Sequence, residues 1–342
     1  MSGAQLRSLA DQARPALLRP PSRSPLQLRS RTLSVLPDLH LENNVFPLSS
    51  LSSVPLLKYP RTAHLEGSRL QAGDADDGQT PLSALQGRHV VIEEKLDGAN
   101  AAVSFTSAGE LLLQSRGHYL AGGASERQFN LFKHWAAAHE AGLLERLEDR
   151  YVMYGEWCFA KHSCWYDRLP AFFLEFDLYD RQRQCFLSTP ARHALLDGSP
   201  VVSVPVLYDG EMPRHARALR SLVRPSLART ADWKAAFEQA VMQEGQPLDL
   251  VRQQTDLSDL AEGLYLKTES QGEVTGRYKW VRPDFVQTIL DSGSHHSHRP
   301  VLPNRLAAGV DPYAPTPTTT WQDLGLHTLH SPAELATIGR TR

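Results

Sequence analysis

The chain has 342 residues, 41% hydrophobic and 22% charged. That is enough apolar material for one large core or two of ordinary size, and it excludes a wholly disordered protein. The formal net charge of −2 excludes coating of nucleic acid by bulk charge and leaves room for a local basic groove. Three cysteines, Cys158, Cys164 and Cys185, with no CxxC pair, exclude a disulfide framework and a paired-cysteine zinc site; a reducing compartment fits best. No run approaches the ~18 apolar residues of a membrane span, so a soluble, cytoplasmic protein with no membrane partner is expected, and a monomer.

Residues 1–34 hold six arginines against one acid, Asp11, and the rest of the chain carries 30 basic and 37 acidic residues. Two readings fit such a stretch: a mitochondrial transit peptide, Arg- and Ser-rich and poor in acids, or a disordered extension, which includes a misplaced start codon. The second is preferred. Pro20 and Pro21 break any amphipathic helix there. Residues 35–57 remain loop-like, with Pro37, Pro47, Pro55 and a serine cluster at 49–53. Residues 1–57 therefore read as one disordered or processed extension.

From Lys58 the chain reads as globular. His89–Glu94, Ala99–Phe105 and Leu111–Ser115 are short apolar runs that predict strands, the last two joined by a turn at Ser107–Gly109. From Ser125 to about Glu148 the spacing predicts a helix, with Ser125 and Gln128 as a capping pair and Phe129, Phe132 and Trp135 on a core face. Tyr151–Trp157 and Phe172–Tyr179 read as strands. Residues 189–197 and 230–244 read as helices, with Val201–Leu207 a buried strand between them. Leu264–Lys267 and Arg277–Val281 read as two strands around a turn at Ser270–Gly276. Strands and helices do not alternate regularly, so the fold class is α+β, antiparallel sheets with flanking helices. After Arg299 the chain is Pro/Thr-rich, and residues 307–342 form a C-terminal tail.

The phosphate loop GxxxxGK, the dinucleotide fingerprint GxGxxG, the elbow GxSxG and the zinc motif HExxH are all absent. Asp74–Gly78 resembles a calcium loop, but the twelfth position would be Leu85 in place of Glu, so it reads as a solvated acidic turn. His295, His296 and His298 lie in a Ser/Gly-rich loop and read as an exposed turn.

The sharpest local signal is Glu93-Glu94-Lys95-Leu96-Asp97-Gly98-Ala99-Asn100: a lysine leaving an apolar strand, then Asp, Gly and Asn at a turn. Alone, KxDG is weak. Its weight comes from an ordered series further along the chain: Arg116-Gly117, Gly155-Glu156-Trp157, Phe173-Leu174-Glu175-Phe176-Asp177, Glu262 to Lys267, and Arg277-Tyr278-Lys279-Trp280. This series resembles motifs I, Ia, III, IIIa, IV and V of the covalent nucleotidyltransferases, the superfamily of polynucleotide ligases and mRNA-capping enzymes. Asn100 and the motif spacings are most similar to the RNA ligase 2-like branch of ATP-dependent RNA ligases. Flanking segments resemble a bacterial-type RNA ligase domain: Tyr59 to His64, the run Gly155 to Ser163, Tyr166 to Pro170, Trp280 to Pro283, and Pro303 to Leu306. The resemblance covers about residues 58–306 and leaves both ends, and the insertion at 186–260, unexplained. One departure is Arg277, where lysine is common; the charge is kept.

The resemblance implies the nucleotidyltransferase fold, an ATP-grasp-like ligase fold, without an OB-fold domain. It implies ATP and Mg²⁺ (or Mn²⁺), and RNA with 5′-phosphate and 3′-hydroxyl ends as partner, in RNA repair. Lys95 would attack the α-phosphate to give lysyl-AMP; AMP would pass to an RNA 5′-phosphate; a 3′-hydroxyl would then displace it. The amine must be neutral, while free lysine has a pKa near ~10.4, so cations around Lys95, namely Lys267 and Lys279, are expected to lower it and to balance phosphate charge. Glu94, Asp97, Gly98, Asn100, Arg116, Glu156, Phe176, Glu262 and Arg277 would line the nucleotide pocket. Phe176 would be the adenine platform, Gly98 would allow a sharp turn, and Glu156 and Glu262 would hold the metal. Trp157, Trp165 and Trp280 read as packing residues, and Asp97 also reads as a brace of the turn.

Two alternatives stand beside this. A compact ATP-dependent DNA ligase or a capping enzyme would carry an OB-fold after motif V, and only 63 residues follow Lys279; capping enzymes also usually have Arg where Asn100 stands. A non-catalytic RNA-end-binding module would share the fold but take up no AMP.

Overall fold

The computed structural model describes residues 54–70, 78–285 and 301–338. The arginine-rich residues 1–34, the acidic turn before Gly78 and His295, His296 and His298 lie outside these. The strands are β1 (Ala63–Leu65), β2 (Gln79–Thr80), β3 (His89–Lys95), β4 (Ala99–Phe105), β5 (Leu111–Ser115), β6 (Tyr151–Trp157), β7 (Phe173–Asp180), β8 (Cys185–Phe186), β9 (Val202–Ser203), β10 (Val206–Glu211), β11 (Gly263–Ser270) and β12 (Glu273–Val281). The helices are α1 (Asn130–Ala138), α2 (Glu140–Leu147), α3 (Thr189–Leu196), α4 (Ala216–Arg220), α5 (Trp233–Gln243), α6 (Leu248–Gln253) and α7 (Pro332–Ile338). Sheet 1 has the order β10-β3-β11-β12-β1-β2; sheet 2 has β5-β4-β6-β7-β8, with β9 beside β7. The β1–β12, β1–β2 and β7–β9 pairs are parallel and the other pairs antiparallel. The class is α+β with two mostly antiparallel sheets, as the irregular order of elements predicts.

Period-two alternation sorts each strand between two environments. In sheet 1, Val90, Ile92, Leu264 and Leu266 pack against Leu65, Leu82, Leu219 and Leu222. In sheet 2, Ala101, Val103, Phe105 and Met153 pack on Phe132, Trp135, Leu143 and Leu147 of α1 and α2. The remaining faces of the two sheets turn toward each other. The helix expected over 125–148 is interrupted. It opens with a 3₁₀ turn, Ala124–Phe129, whose cap position is Gly123; residue 125 lies inside the turn, so the expected Ser125–Gln128 pair is not at a helix cap. His139 separates α1 from α2, its ring against Trp135 and its Nε2 3.0 Å from the Pro312 carbonyl oxygen. The β11–β12 loop is two residues, Gln271 and Gly272, both at positive φ (51° and 81°), which matches the twist of a tight hairpin.

Between the facing sheets lies a buried ion network. Arg192 of α3, with no exposed side-chain surface, donates to both Glu175 oxygens (2.7 and 2.8 Å) and to Glu93 Oε1 (2.6 Å). Lys267 Nζ reaches Glu93 Oε2 at 2.8 Å and Asp177 Oδ1 at 3.3 Å, and donates to the Phe176 carbonyl. Ser203 Oγ donates to Glu175 Oε2 at 2.6 Å, and the Tyr59 hydroxyl donates to Asp177. Glu93 and Lys267 belong to sheet 1, Glu175 and Asp177 to sheet 2, so the network joins them.

The Pro/Thr-rich C-terminal residues pack as well. Trp321 donates from Nε1 to the Ser203 carbonyl at 2.8 Å, and Leu329 and Leu335 enter the sheet 1 core. Among the described residues no strand follows Val281.

Removing one member of a buried, paired set leaves an uncompensated charge. Arg192→Met is expected to lower unfolding free energy by about 3–5 kcal/mol, read as a shift of the urea midpoint; a variant as stable as the parent would show that the network does not hold the sheets.

Candidate active site

Lys95 ends β3 in sheet 1 and Ala99 begins β4 in sheet 2, so Leu96, Asp97 and Gly98 carry the chain across. Cross-strand register sets Glu93 opposite Tyr265 and Tyr265 opposite Lys279; Val91, Lys267 and Arg277 form the parallel row. Lys95, Glu93, Tyr265, Lys267, Arg277 and Lys279 thus share the inner face of sheet 1. Gly263 stands opposite Lys95. A Cβ there would lie 2.0 Å from the Trp280 carbonyl oxygen, so only glycine fits. On the inner face of sheet 2, Asn100 stands opposite Glu156.

The Lys95 ammonium donates to Glu262 Oε2 at 2.8 Å and keeps 26% of its side chain exposed. Glu156 Oε1 accepts from the Gly98 amide at 2.9 Å. Asp97 Oδ2 accepts from the amides of Ser163 and Cys164, both at 2.6 Å, while its own amide donates to the Tyr166 hydroxyl at 3.0 Å. Asp97 therefore braces the loop after β6. Asn304 fastens the same loop: its Oδ1 accepts from the Tyr166 amide and its Nδ2 donates to the Cys158 carbonyl, both at 2.8 Å. Gly98 is required for space. A Cβ would sit 2.7 Å from the Trp157 carbonyl oxygen and 3.1 Å from Glu156 Cγ. Its φ is not in the left-handed region, so the sharp turn expected from sequence is not the reason.

Burial pushes the Glu156 carboxyl up to about 7 against the pull of Lys95 and the Gly98 amide. Burial likewise raises Glu262 to about 7 against Lys95. Lys95 is held above the ordinary lysine value: burial favours the neutral amine, but Glu262, Glu156 and Asp97 together outweigh it. This corrects the expectation that Lys267 and Lys279 surround Lys95 and depress its pKa. Lys267 is held by Glu93, Asp177 and the Phe176 carbonyl, four residues along β11 from the glycine opposite Lys95. Lys279 is half-buried on the same face. Lys95 is an ammonium among carboxylates, and its proton must leave before the nitrogen can act as a nucleophile.

Phe176 is placed by a β-bulge. Tyr154 pairs with Asp177 and Gly155 with Glu175, leaving Phe176 unpaired with β6. The extra residue switches parity, so that Phe173 and Leu178, five apart, both reach the helix-side core while Phe176 faces inward. Its ring meets Tyr59 edge-on at 5.1 Å and Tyr265 at 6.2 Å. The Arg277 guanidinium lies 3.8 Å over the Phe186 ring, 5.1 Å over Tyr59 and 4.0 Å from Asp177 Oδ2. Arg116 follows β5, exposed, and its charge reaches Glu156. Trp157 and Trp165 donate to the Gln128 and Pro303 carbonyls (2.7 and 2.9 Å), and Trp280 lies in the sheet 1 core, all as packing residues.

Glu94 does not join the site. It lies on the opposite face of β3, accepts from Ser226 Oγ, and burial raises it to about 7; its assignment to the nucleotide pocket is corrected. Sequence reasoning missed Tyr59, Glu93, Glu175, Asp177 and Arg192 as site-supporting groups. The first four stand inside motif or flanking segments; Arg192, in α3, carries no local signal. Among the described residues no group of three or more His, Cys, Asp or Glu is arranged to hold a metal ion. Half-buried Glu156 and buried Glu262 offer two hard-oxygen carboxylates, a set that fits magnesium, which takes one or two carboxylates and keeps its waters. Asn100 Oδ1, buried with no hydrogen-bond partner among the described residues, is an acceptor left for a ligand.

A sequence profile of the RNA ligase family matches residues 88–281. More than half of the chain lies in that match, and the chain belongs to the RNA ligase family. No curated protein matches. Solved structures that resemble it include Naegleria gruberi RNA ligase. A variant with ATP and Mn is 19% identical with a TM-score of 0.39, covering 59% of this chain and 52% of that one. A variant with AMP and Mn is 18% identical with a TM-score of 0.40, over the same shares. The enzyme with PPi is 19% identical with a TM-score of 0.40, covering 69% and 61%. The chain spans 52–61% of the length of these structures.

Glu94 is protonated in the folded chain up to about pH 7 and ionised above its ordinary value of 4.5 when unfolded. The native state thus holds the extra proton between these values, and the stability this group contributes is lost as pH rises through them. Glu94→Gln is expected to flatten the fall of the urea midpoint from about pH 5 to about pH 7.5. An unchanged slope would show that this carboxyl titrates normally.

Proposed function

We propose that this protein is an ATP-dependent RNA ligase that joins a 5′-phosphate end to a 3′-hydroxyl end of RNA through a lysyl-AMP intermediate on Lys95, in RNA repair. The reading rests above all on one observation: in a chain of the RNA ligase family, the lysine of the KxDG turn stands where the two sheets meet, bonded to Glu262 and flanked by Glu156. In the first step the Lys95 ammonium releases protons to solvent as its nitrogen forms a bond to the α-phosphorus of ATP, and the bond to the pyrophosphate oxygen breaks, releasing pyrophosphate. In the second, an oxygen of the RNA 5′-phosphate attacks the AMP phosphorus and Lys95 leaves. In the third, the 3′-hydroxyl oxygen attacks the activated 5′-phosphorus, AMP leaves, and the phosphodiester closes. The electrostatic work falls to fixed groups: Lys267, Lys279 and Arg277 on the inner face balance phosphate charge, and Phe176 offers a flat face to adenine. Asn100 Oδ1 accepts from the nucleotide. Glu156 and Glu262 would hold Mg²⁺ (or Mn²⁺), which supplies positive charge that offsets both carboxylates and so lowers the Lys95 pKa. The proposal places it in the cytoplasm as a monomer; the three cysteines without a CxxC pair fit a reducing compartment.

Lys95→Ala is expected to abolish transfer of label from α-labelled ATP to protein while leaving the circular dichroism spectrum unchanged. An acid-labile adduct on the alanine variant would remove Lys95 from the mechanism. In the same assay Phe176→Ala should raise the half-saturating ATP concentration by an amount corresponding to ~1–3 kcal/mol of lost stacking.

Discrimination of RNA from DNA requires contacts to the 2′-hydroxyl or to A-form shape. Matched nicked duplexes that differ only in the sugars flanking the nick should therefore be sealed faster with ribonucleotides at the 3′-hydroxyl side. Equal rates on all-DNA nicks would make the protein a DNA ligase.

A further inference from the structure

The segment 212–231, within the stretch between the phenylalanine-aspartate pair of β7 and Glu262, contains five arginines and no acid, in a chain whose formal net charge is −2. Its apolar residues Leu219, Leu222 and Val223 are buried in the core behind sheet 1. Its other side faces solvent: Arg214, His215, Arg217 and Arg220 are all exposed. Arg217 and Arg220 lie three apart on α4, hence on one face of it, and Arg214 continues the spacing just before the helix. The stretch before β3 adds a fourth arginine. The Met212 amide donates to the Arg88 carbonyl at 2.9 Å and Gln86 Nε2 donates to the Pro213 carbonyl at 3.2 Å, which bring the exposed Arg88 beside Arg214. Among the described residues none of Arg88, Arg214, Arg217 and Arg220 makes an ion pair. Acids of the same region are Glu66, whose carboxylate accepts from the Leu82 amide at 3.2 Å, Glu211 at the end of β10, and Asp209, which pairs with His89 at 2.8 Å.

Several other arginines among the described residues are absorbed, although Arg116 and Arg127 are also exposed without an ion pair. Arg192, Arg150, Arg183, Arg252 and Arg282 pair with carboxylates. Four solvent-facing guanidinium groups without carboxylate partners, fixed to a packed helix and a strand end, therefore form a distinct surface. Guanidinium forks match phosphate oxygens, and a row of them on a rigid support binds a polyanionic backbone without reading its sequence. We propose that Arg88, Arg214, Arg217 and Arg220 form an anchoring surface for the sugar–phosphate backbone of the RNA substrate, separate from the reaction face. β3 spans the distance from this surface to Lys95. Its seven residues at about 3.3 Å each amount to ~20 Å, a length that a strand or duplex arm beyond the joint can bridge. The proposal rests on the RNA ligase reading and names where such a substrate is held at a distance from the joint.

The test uses full-length protein and a nicked RNA duplex longer than about 20 base pairs, with binding followed by fluorescence anisotropy across a salt series. Arg214→Gln, Arg217→Gln and Arg220→Gln combined should weaken binding at least tenfold. Each lost phosphate contact should lower the slope of log affinity against log salt by about one. The corresponding triple lysine variant should restore most of the slope, since charge is kept. Self-adenylylation with ATP alone should stay at the parent rate in both. An unchanged affinity and salt slope in the glutamine variant would overturn the surface. Failure of the parent to form any protein–AMP adduct would instead remove the ligase reading, while the binding series still reports on the surface itself.

Discussion

Three cations and three carboxylates set between the sheets govern how this molecule is assembled. Arg192, Lys267 and Arg277 oppose Glu93, Glu175 and Asp177. Charges taken out of water are costly unless geometry and additional hydrogen bonds compensate, and here the compensation is supplied by both sheets, by α3, by Ser203 and by Tyr59. Apolar faces tolerate sliding; a set of charges with fixed partners does not. The network sets the register in which the bulged Phe176 and its carbonyl meet Lys267, and with it the width of the space between the sheets.

The inner space is electrically divided. At one end Lys95 stands among Glu262, Glu156 and Asp97; at the other, Lys267 and Arg277 stand beside aromatic rings and Asp177. A triphosphate laid along this space would meet cations on the inner face of sheet 1 and carboxylates close to Lys95. The carboxylates hold the resting lysine as an ammonium, which is unreactive; their own raised pKa values show how little solvation they retain. In the proposed reaction, reactivity at Lys95 would depend on charge brought in with the nucleotide, which would tie its activation to occupancy of the pocket.

Segments far from Lys95 in sequence finish its walls. Asn304 fastens the loop that also receives Asp97. Arg282 joins Asp256 to the residues around Glu262: its side chain pairs with Asp256 and donates to the Ala261 carbonyl at 3.0 Å, and its amide donates to the Glu262 carbonyl at 3.1 Å. Leu57 lends its carbonyl to Tyr154 and Gln114 (2.8 and 2.9 Å), which seats Tyr59 against Phe176. The site is thus built from residues 57 to 304 although the family match begins at 88 and ends at 281.

Much of this was legible in the residue order. Alternating apolar runs marked nearly every long strand, because burial of one face imposes period two. The order of Lys95, Glu156, Phe176, Glu262 and Lys279 along the chain carried the family resemblance. Local pattern could not assign charge partners. Glu93 and Glu94 are neighbours in sequence, yet one faces the ion network and the other Ser226, since successive residues of a strand point to opposite sides. Nor could it place Lys267 with Glu93 and Asp177 and leave Lys95 to the carboxylates; that depends on which rows of two sheets come to face each other. The elements, the class and the chemical inventory are properties of the chain read as a string. Which charges meet is a property of its packing, because electrostatic energy depends on distance and desolvation, and neither exists until the sheets have come together.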